Sequence, residues 1–346
     1  MATTSHRVPL NVLDLIPVSA GMSRREAFLH STQLAQDCDR LGYQRYWVAE
    51  HHGSETFMAS ATSLILAHLA EHTSRIRLGS GGVMLPNHAP LMIAEYYGTL
   101  ATLYGDRFDL GLGRAPGTDP MTAAALRRGA GDGDALDTFA RDVLDLMAYL
   151  GPAGPGSRRV RAIPGENTRV PLWMLGSSTG GAQVAAALGL PFSFASHFAP
   201  SEMSAALAVY REHFDPAATT AQVERPTVMA GVNVVVAPTQ VEAERLFTTT
   251  QLMRVRLRTG RLTPLDPPVD DLAATLPADL FELAGSAHGY ACAVGTPEHV
   301  TSRLYAFVAE HAIDELIVAT YCFDPELRRR SYALLADAWD GDGRPA

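Results

Sequence analysis

The sequence contains no lysine, so all 28 of its basic residues are arginines. This absence excludes Schiff-base enzymes, pyridoxal phosphate enzymes anchored through lysine and P-loop nucleotidases, because each of them needs a lysine amine. Cysteine is also scarce: Cys38, Cys292 and Cys322 form no C-x-x-C pair and no metal-ligand spacing. We interpret them as isolated thiols in a reducing compartment.

Long apolar runs and an excess of positive charge are missing as well. No apolar run approaches the roughly 18 residues of a membrane-spanning helix, and residues 1–7 lack the apolar stretch of a secretory signal. The net charge of −9 argues against nucleic acid or an anionic membrane as a main partner. We therefore expect a cytoplasmic protein, and its 346 residues, 47% of them hydrophobic, can bury a large core.

Short apolar runs alternate with helix-like segments along the chain. The strand-like runs are 8–15, 46–49, 76–84, 108–112, 170–175, 191–195, 227–237 and 316–319. Eight β–α alternations in a chain of this length predict an α/β fold of the TIM (β/α)8 barrel type rather than an open doubly wound sheet. We predict one domain over residues 1–346, with an insertion at about 259–293 between strands seven and eight, where the sequence fits no simple β–α unit.

Residues suited to chemistry follow several of these strands, at the end where barrels place their active sites. Glu50 and His51 follow strand two, and His51 is the predicted acid/base because the ordinary pKa of histidine lies near neutrality. A metal site is the less favoured alternative, because strand one has no His-x-His pair and no lysine is available for carbamylation. We predict no metal.

Glycine-rich turns follow strands three and five. The turn 79–82 either lets a flat ring approach the main chain or serves as a tight strand exit, and both can hold together. The turn 175–181, Leu-Gly-Ser-Ser-Thr-Gly-Gly, is either a phosphate cradle at a helix N-terminus or an ordinary cap, and its glycines favour phosphate. Arg114, after strand four, suits a phosphate or carboxylate, or a surface ion pair.

Several of these motifs, in this order, resemble the bacterial luciferase-like monooxygenases of the group 1 type, which are flavin-dependent TIM barrels. The resemblance spans nearly the whole chain and rests on residues 49–52, 85–90, 104–117, 175–181, 189–191 and 295–298. It implies that a separate flavin reductase supplies reduced FMN, that oxygen adds at the flavin C4a position as a peroxyflavin, and that an organic substrate is oxidised.

The resemblance also implies roles for individual residues. It makes His51 catalytic, Glu50 a flavin-site residue and the bond between Gly81 and Gly82 a cis peptide beneath the flavin ring. It assigns Arg114 to the phosphate or ribityl chain. The other flavin contacts that it implies are Gly176, Ser177, Ser178, Gly180, Gly181, Ala195, Ser196 and His197.

The chain departs from luciferase itself. Luciferase has an acidic residue where Ser177 stands and a tryptophan near Ser196, so we do not expect a light-emitting subunit. The aldehyde-binding loop has no recognisable counterpart. A second phosphate-binding arginine has no clear match, and Arg127 or Arg128 is the candidate.

The predicted function is therefore a two-component, FMNH2-dependent monooxygenase for a small hydrophobic or aromatic substrate, with polyketide tailoring as one setting. The alternatives are an F420-dependent oxidoreductase of the same fold and a non-catalytic flavin-binding partner subunit. Expected partners are the substrate, O2, the reductase and a second copy of the chain, with neither nucleic acid nor membrane. The apolar residues proposed for a homodimer interface, or else for packing inside the outer ring, are Leu91, Met92, Ile93, Tyr96 and Tyr97.

Overall fold

The computed structural model describes residues 7–115, 117–126, 135–153, 160–285 and 291–341. The strands are β1 (Leu10–Asp14), β2 (Arg45–Val48), β3 (Arg77–Met84), β4 (Phe108–Gly113), β5 (Leu172–Gly176), β6 (Phe192–Phe194), β7 (Val228–Val236), β8 (Cys292–Gly295) and β9 (Glu315–Ala319). All pairings among them are parallel, and β1 to β7 followed by β9 form a ring that closes where β9 pairs with β1. In the described residues the fold is thus a closed eight-stranded barrel surrounded by helices, which confirms the predicted TIM barrel.

The segment between β7 and β9 differs in detail from the prediction. The sequence indicated eight strands, whereas β8 is a further short strand that pairs with the second half of β7, from Asn233 to Val236. It begins at the end of the predicted insertion 259–293. A four-residue run that ends in glycine is too short to give a recognisable alternation pattern, so long-range pairing with β7 decides its structure.

The helices alternate with the strands. They are α1 (Arg24–Leu41), α2 (Thr62–His72), α3 (Pro90–Tyr104), α4 (Pro120–Leu126), α5 (Ala135–Leu150), α6 (Thr179–Ala187), α7 (Met203–Glu212), α8 (Gln240–Arg258), α9 (Leu272–Thr275), α10 (Ala278–Gly285), α11 (Pro297–His311) and α12 (Pro325–Gly341). Helix α1 begins at a capping box, in which Ser23 and Glu26 each accept the other's backbone N–H, and it ends at Gly42 with φ 84°. Within the described residues, no helix has both the length and the apolar character needed to span a membrane.

Two apolar layers hold the barrel together. The larger lies between the strands and the helices, and the smaller fills the barrel interior with Leu13, Trp47, Trp173, Met229 and Ile317. These interior residues come from alternate strand positions, as the two-residue period of a strand requires. They separate a charged lower end of the barrel, at the start of the strands, from an open upper end.

Helix α3 carries the residues considered for a dimer interface. Ile93 and Tyr97 are 3% and 0% exposed, so they pack within the outer ring and are not available to a partner. Met92 and Tyr96 are each 41% exposed. Only part of the predicted apolar surface is therefore accessible.

Candidate active site

A cavity of about 640 Å³ opens at the upper end of the barrel, where the strands end. Its size falls within the range of about 300–1,000 Å³ that is typical of small-molecule sites. The predicted site residues that line it are His51, Gly81, Arg114, Gly176, Ser177, Ser178, Gly181, Ala195 and His197. Residues from several strands thus meet at one cavity, as the barrel geometry predicts.

Four predicted residues are not part of the cavity lining: Glu50, Gly82, Gly180 and Ser196. The Ser196 hydroxyl donates to the Gly231 carbonyl at 2.6 Å and is fully buried. Gly180 lies behind the lining, next to the guanidinium of Arg114. These four residues are not part of the cavity lining, and their roles as flavin contacts stay predictions.

His51 is held in the cavity wall by the loop that follows β2. Its backbone N–H donates to the Ala59 carbonyl at 2.7 Å, and its ring packs beside Phe57 with 5.9 Å between ring centroids. Burial lowers the pKa of His51 below its ordinary value, although a hydrogen bond to the Gly117 backbone and the charge of Glu50 act in the opposite direction. The imidazole is therefore uncharged at neutral pH.

Glu50 connects the loops that follow β2 and β3. Its carboxylate, 1% exposed, accepts hydrogen bonds from His52 Nε2 and His88 Nε2, both at 2.9 Å, and from the Met84 N–H at 3.1 Å. Burial raises the pKa of Glu50, but the hydrogen bonds and charge of His88 and the bonds from His52 and Met84 outweigh it and hold that pKa below its usual value. In the structure this carboxylate holds the loop that carries His51 against the loop after β3, and its role as a flavin-site residue stays a prediction.

The start of α6 and Arg114 form a corner of the cavity whose chemistry suits an anion, and we call it the anion-binding corner. Helix α6 begins after Ser178, whose side chain makes no capping hydrogen bond, so the first N–H groups of the helix remain available. Among the described residues, no hydrogen bond or ion pair engages the Arg114 guanidinium. A Cβ on Gly180 would lie 3.4 Å from Arg114 Nη1, so glycine lets the two elements approach. Arg127 and Arg128 lie outside the described residues.

The peptide bond between Gly81 and Gly82 is cis, as the resemblance implies. Gly81 lines the cavity, but the position of its missing Cβ lies only 2.7 Å from Leu13 Cδ1 and 3.2 Å from the Trp47 ring. The corresponding position on Gly82 lies 2.8 Å from the Gly111 carbonyl oxygen. Tight packing inside the barrel is therefore one reason for these glycines, and a flat ring over Gly81 stays a prediction.

Comparison with known proteins identifies the family. The family model described as luciferase-like monooxygenase matches residues 9–315. A luciferase-like monooxygenase of Escherichia coli (strain K12) is 43% identical over 339 residues, which cover 96% of this chain and 98% of that protein. The chain belongs to the luciferase-like monooxygenase family. Membership makes the protein an oxidoreductase of the monooxygenase class.

Solved structures agree with this membership. Apo-MsnO8 is 34% identical, with a TM-score of 0.83 over 96% of this chain and 98% of that chain. The oxygenating constituent of 3,6-diketocamphane monooxygenase from Pseudomonas putida, solved in complex with FMN, has a TM-score of 0.70 at 18% identity, over 98% of this chain and 100% of that chain. At that identity the second comparison shows the fold alone.

The opposite side of this luciferase-like cavity contains residues that the sequence analysis missed. Met253, Arg254 and Leu257 from the last turns of α8 line it, together with Asn233 and Tyr321. One signal was available in the sequence, because Arg254 interrupts the apolar stretch Leu252, Met253 and Val255. Arginine is rarely fully buried, so an arginine inside an apolar helix face indicates that its buried charge has a specific role.

His197 and Arg254 lie close enough to influence each other's charge. Burial, followed by the charges of Arg254 and His51, lowers the pKa of His197 from its ordinary 6.5 to about 4. Its Nδ1 faces Gly231 and has no hydrogen-bond partner among the described residues. His197 is therefore neutral in the folded protein. In the part of the chain that the structure describes, no group of three or more His, Cys, Asp or Glu is placed to hold a metal ion.

Proposed function

We propose that this protein is a two-component, FMNH2-dependent monooxygenase that oxidises a small, mainly apolar organic substrate with O2. One observation carries the proposal: the anion-binding corner at Arg114 and α6 opens into the same cavity as the uncharged His51. A phosphate at that corner would tether a cofactor whose redox ring reaches the histidine. This combination matches the monooxygenase class of the family.

The residues present fit FMN. Arg114, the hydroxyls of Ser177 and Ser178 and the first N–H groups of α6 would hold the phosphate, because a guanidinium and a helix N-terminus both favour a phosphate dianion. Gly81 and Ala195 offer backbone and small side chains to the flavin ring. When bound, reduced FMN supplies the two electrons for the reduction of oxygen.

His51 would act as the general acid/base in this reaction. His51 lines the cavity, and one nitrogen of its neutral ring would accept or return a proton there. Glu50 holds the loop that carries His51 in place through His52 and His88. Trp47, Phe57 and Tyr321 line the rest of this wall and exclude water from it.

The homodimer and the separate reductase remain proposals drawn from the resemblance. For the dimer, we propose the exposed apolar residues of α2 and α3, where Leu64 is 73% and Leu103 is 66% exposed, with Met92 and Tyr96 beside them. Sedimentation equilibrium of the wild type and of a Leu64→Asp, Leu103→Asp double variant tests this surface, and an unchanged dimer would move the interface elsewhere.

The cofactor is tested by titrating the protein with reduced FMN and with reduced F420 under anaerobic conditions, and then adding oxygen. We expect FMNH2 to bind and to be consumed with oxygen in the presence of a reductase. Binding of F420 without binding of FMN would replace the proposal with an F420-dependent hydride transfer. Tight FMN binding without oxidation of any substrate would favour the non-catalytic subunit.

The role of His51 is tested by His51→Ala, with His213→Ala as the exposed control. Loss of general acid–base catalysis is expected to lower turnover about 10²–10⁴-fold while the far-UV circular dichroism is unchanged. The acid limb of the wild-type pH profile is expected below pH 6.5, because the pKa of His51 is lowered. Full activity of His51→Ala would remove this residue from the mechanism.

A further inference from the structure

The wall of the cavity opposite Arg114 carries polar side chains that the proposed cofactor site does not use. Arg114 follows β4, and β9 lies across the ring of eight strands from β4, beyond β5, β6 and β7. Tyr321 follows the end of β9 and therefore stands across the cavity from Arg114, with Asn233 beside it in the neighbouring strand β7. Both residues line the cavity. A phosphate at the anion-binding corner gives neither of them a partner.

Asn233 offers a hydrogen-bond acceptor to the cavity. The residue is 4% exposed, its Nδ2 donates to the His197 carbonyl at 2.5 Å, and the Ala291 carbonyl oxygen lies 3.4 Å from the same nitrogen. These two carbonyl oxygens fix the orientation of the amide, because an amide oxygen in place of the nitrogen would face other oxygens. The remaining atom, Oδ1, accepts no hydrogen bond from the described residues, and the protein does not enclose it as it encloses His197 Nδ1. Asn233 Oδ1 is therefore open to a donor from a ligand.

Tyr321 offers a hydroxyl group to the same cavity. The residue is 5% exposed, and its ring packs beside Phe57 with 5.8 Å between ring centroids. The hydroxyl makes no hydrogen bond with the described residues, and it too is not enclosed by the protein. Burial raises the pKa of Tyr321, so the hydroxyl keeps its proton and can donate a hydrogen bond. Because the hydroxyl of a buried tyrosine usually has a partner, we expect a ligand to supply one.

The fold places these two groups close to each other. Asn233 is the register partner of Ala319 in the parallel pair of β7 and β9, and Tyr321 is two residues further along the same inward face. Two residues span about 6.6 Å along a strand, a distance that the long side chain of tyrosine can cover. A small group that touches Asn233 Oδ1 can therefore also reach the Tyr321 hydroxyl.

The surroundings of the Tyr321 ring are apolar and partly aromatic. The ring belongs to one apolar cluster with four other residues that line the cavity, Trp47, Phe57, Met253 and Ile317. Phe57 also packs beside the His51 ring, with 5.9 Å between ring centroids. Aromatic side chains favour the faces and edges of other flat rings. A ligand that fills this part of the cavity therefore has a flat apolar body that lies near His51.

A hydroxyl group satisfies both polar side chains of this wall. It donates its hydrogen to Asn233 Oδ1 and accepts a hydrogen bond from Tyr321, whereas a carbonyl or ether oxygen only accepts. We propose that Asn233 and Tyr321 bind the hydroxyl group of a phenolic substrate. This inference rests on the proposed function, because it names the substrate class for the same cavity. It makes Asn233 and Tyr321 specificity-determining residues and leaves His51 as the general acid/base.

The test uses three probes with the same ring and ethyl group: 4-ethylphenol, 4-ethylanisole and 4-ethyltoluene. The phenol donates and accepts a hydrogen bond, the anisole only accepts, and the toluene does neither. Dissociation constants are measured by equilibrium dialysis of the full-length protein, with and without FMN. The variants are Tyr321→Phe, Asn233→Leu and, as the matched control, Tyr96→Phe, which removes the hydroxyl of a tyrosine that is 41% exposed and lies outside the cavity lining. The dissociation constant for FMN is measured for every variant.

We expect the wild type to bind the phenol more tightly than the anisole and the anisole more tightly than the toluene, by about two- to tenfold at each step, because each step removes one hydrogen bond. Tyr321→Phe should remove the preference for the anisole over the toluene, and Asn233→Leu should remove the preference for the phenol over the anisole. Tyr96→Phe should keep both preferences. Should Asn233→Leu fail to fold, Tyr321→Phe still tests the site, since it removes one oxygen that has no partner among the described residues.

Three results would overturn the inference. They are equal binding of the three probes by the wild type, unchanged preferences in Tyr321→Phe, and a loss of FMN affinity in Tyr321→Phe or Asn233→Leu as large as in Arg114→Met, which would assign this wall to the cofactor. If instead the wild type binds no FMN but ranks the probes through Tyr321, the proposed function fails and the hydroxyl site stands.

Discussion

The two ends of the barrel interior handle charge in opposite ways. At the lower end, Arg45 donates to Asp109 at 2.7 Å and to Glu315 at 2.9 Å, and Arg77 donates to the other oxygen of Asp109 at 2.7 Å. At the upper end, Arg114 and Arg254 line a cavity whose described lining includes only the carboxylate of Asp119. Charge is therefore paired within the chain at the lower end, whereas at the upper end the guanidinium of Arg114 makes no hydrogen bond or ion pair with the described residues.

Paired and unpaired charges in one barrel are expected to contribute separately to stability and to ligand binding. Buried charges that are paired within the chain hold strands together, and removing one partner leaves the other desolvated and alone. The guanidinium of Arg114, which makes no hydrogen bond or ion pair with the described residues, would instead be satisfied by a ligand, so its removal should weaken ligand binding and have little effect on stability. The same substitution, arginine to methionine, should therefore have opposite consequences at the two ends.

The largest expected effect is at the lower end. Arg45→Met leaves the carboxylates of Asp109 and Glu315 buried without their shared partner and removes the cation that packs 5.2 Å from the centre of the Trp173 ring. We expect the free energy of unfolding to fall by about 3–5 kcal/mol, as for other broken buried ion pairs. Urea denaturation followed by circular dichroism measures it.

The control for this prediction is an ion pair at the surface. Arg245 pairs with Asp270, and their side chains are 47% and 85% exposed. Arg245→Met should cost less than about 1 kcal/mol, because exposed pairs are screened by water. An equal decrease in the free energy of unfolding in the two variants would mean that the buried ion pairs of Arg45 do not stabilise the fold more than a surface ion pair does.

Local patterns in the sequence predicted much of the fold. Local signals predict both ends of α1, which begins at the capping box of Ser23 and Glu26 and ends at Gly42. The apolar runs likewise located the barrel strands. Contacts between distant residues could not be predicted in this way. Arg45 and Glu315 are 270 residues apart, and β8 exists because β7 pairs with it.

The site was predictable where a residue follows a strand. His51, Arg114 and Ser177 were placed correctly in one cavity because strand ends converge at the top of a barrel. Arg254 was not predicted to line the cavity because it comes from the far end of a helix, and the hydrogen bond between Glu50 and His88 was not predicted because His88 belongs to another loop. Neither position follows from a local pattern.

The next largest effect concerns pH and His197. The pKa of His197 is lowered from 6.5 to about 4, so between these values the unfolded chain binds a proton that the folded chain does not. The free energy of unfolding should therefore fall as the pH decreases from 6.5, by about 3 kcal/mol in total at about pH 4. Above pH 6.5 this residue should no longer contribute to the pH dependence of the free energy of unfolding.

The variant His197→Gln isolates this contribution. Unfolding free energies of the wild type and of His197→Gln should differ by a constant amount above pH 6.5 and converge or cross as the pH falls, whereas the exposed His213→Gln should run parallel to the wild type. Parallel curves for His197→Gln would show that this histidine is not buried in a neutral form.

The smallest effect on stability, and the sharpest test of the comparison, is at Arg114. Arg114→Met should change the free energy of unfolding by less than about 1 kcal/mol, because no ion pair or hydrogen bond of the described residues depends on this guanidinium. The affinity for FMN, followed by quenching of flavin fluorescence, should fall about 10–100-fold through loss of charge-assisted bonds to phosphate.

The control is Arg303→Met, an exposed substitution on α11, which should change neither the stability nor the affinity for FMN. A large loss of stability without a loss of FMN affinity would mean that Arg114 is a structural residue like Arg45, and the proposed distinction between the two ends of the barrel would fail.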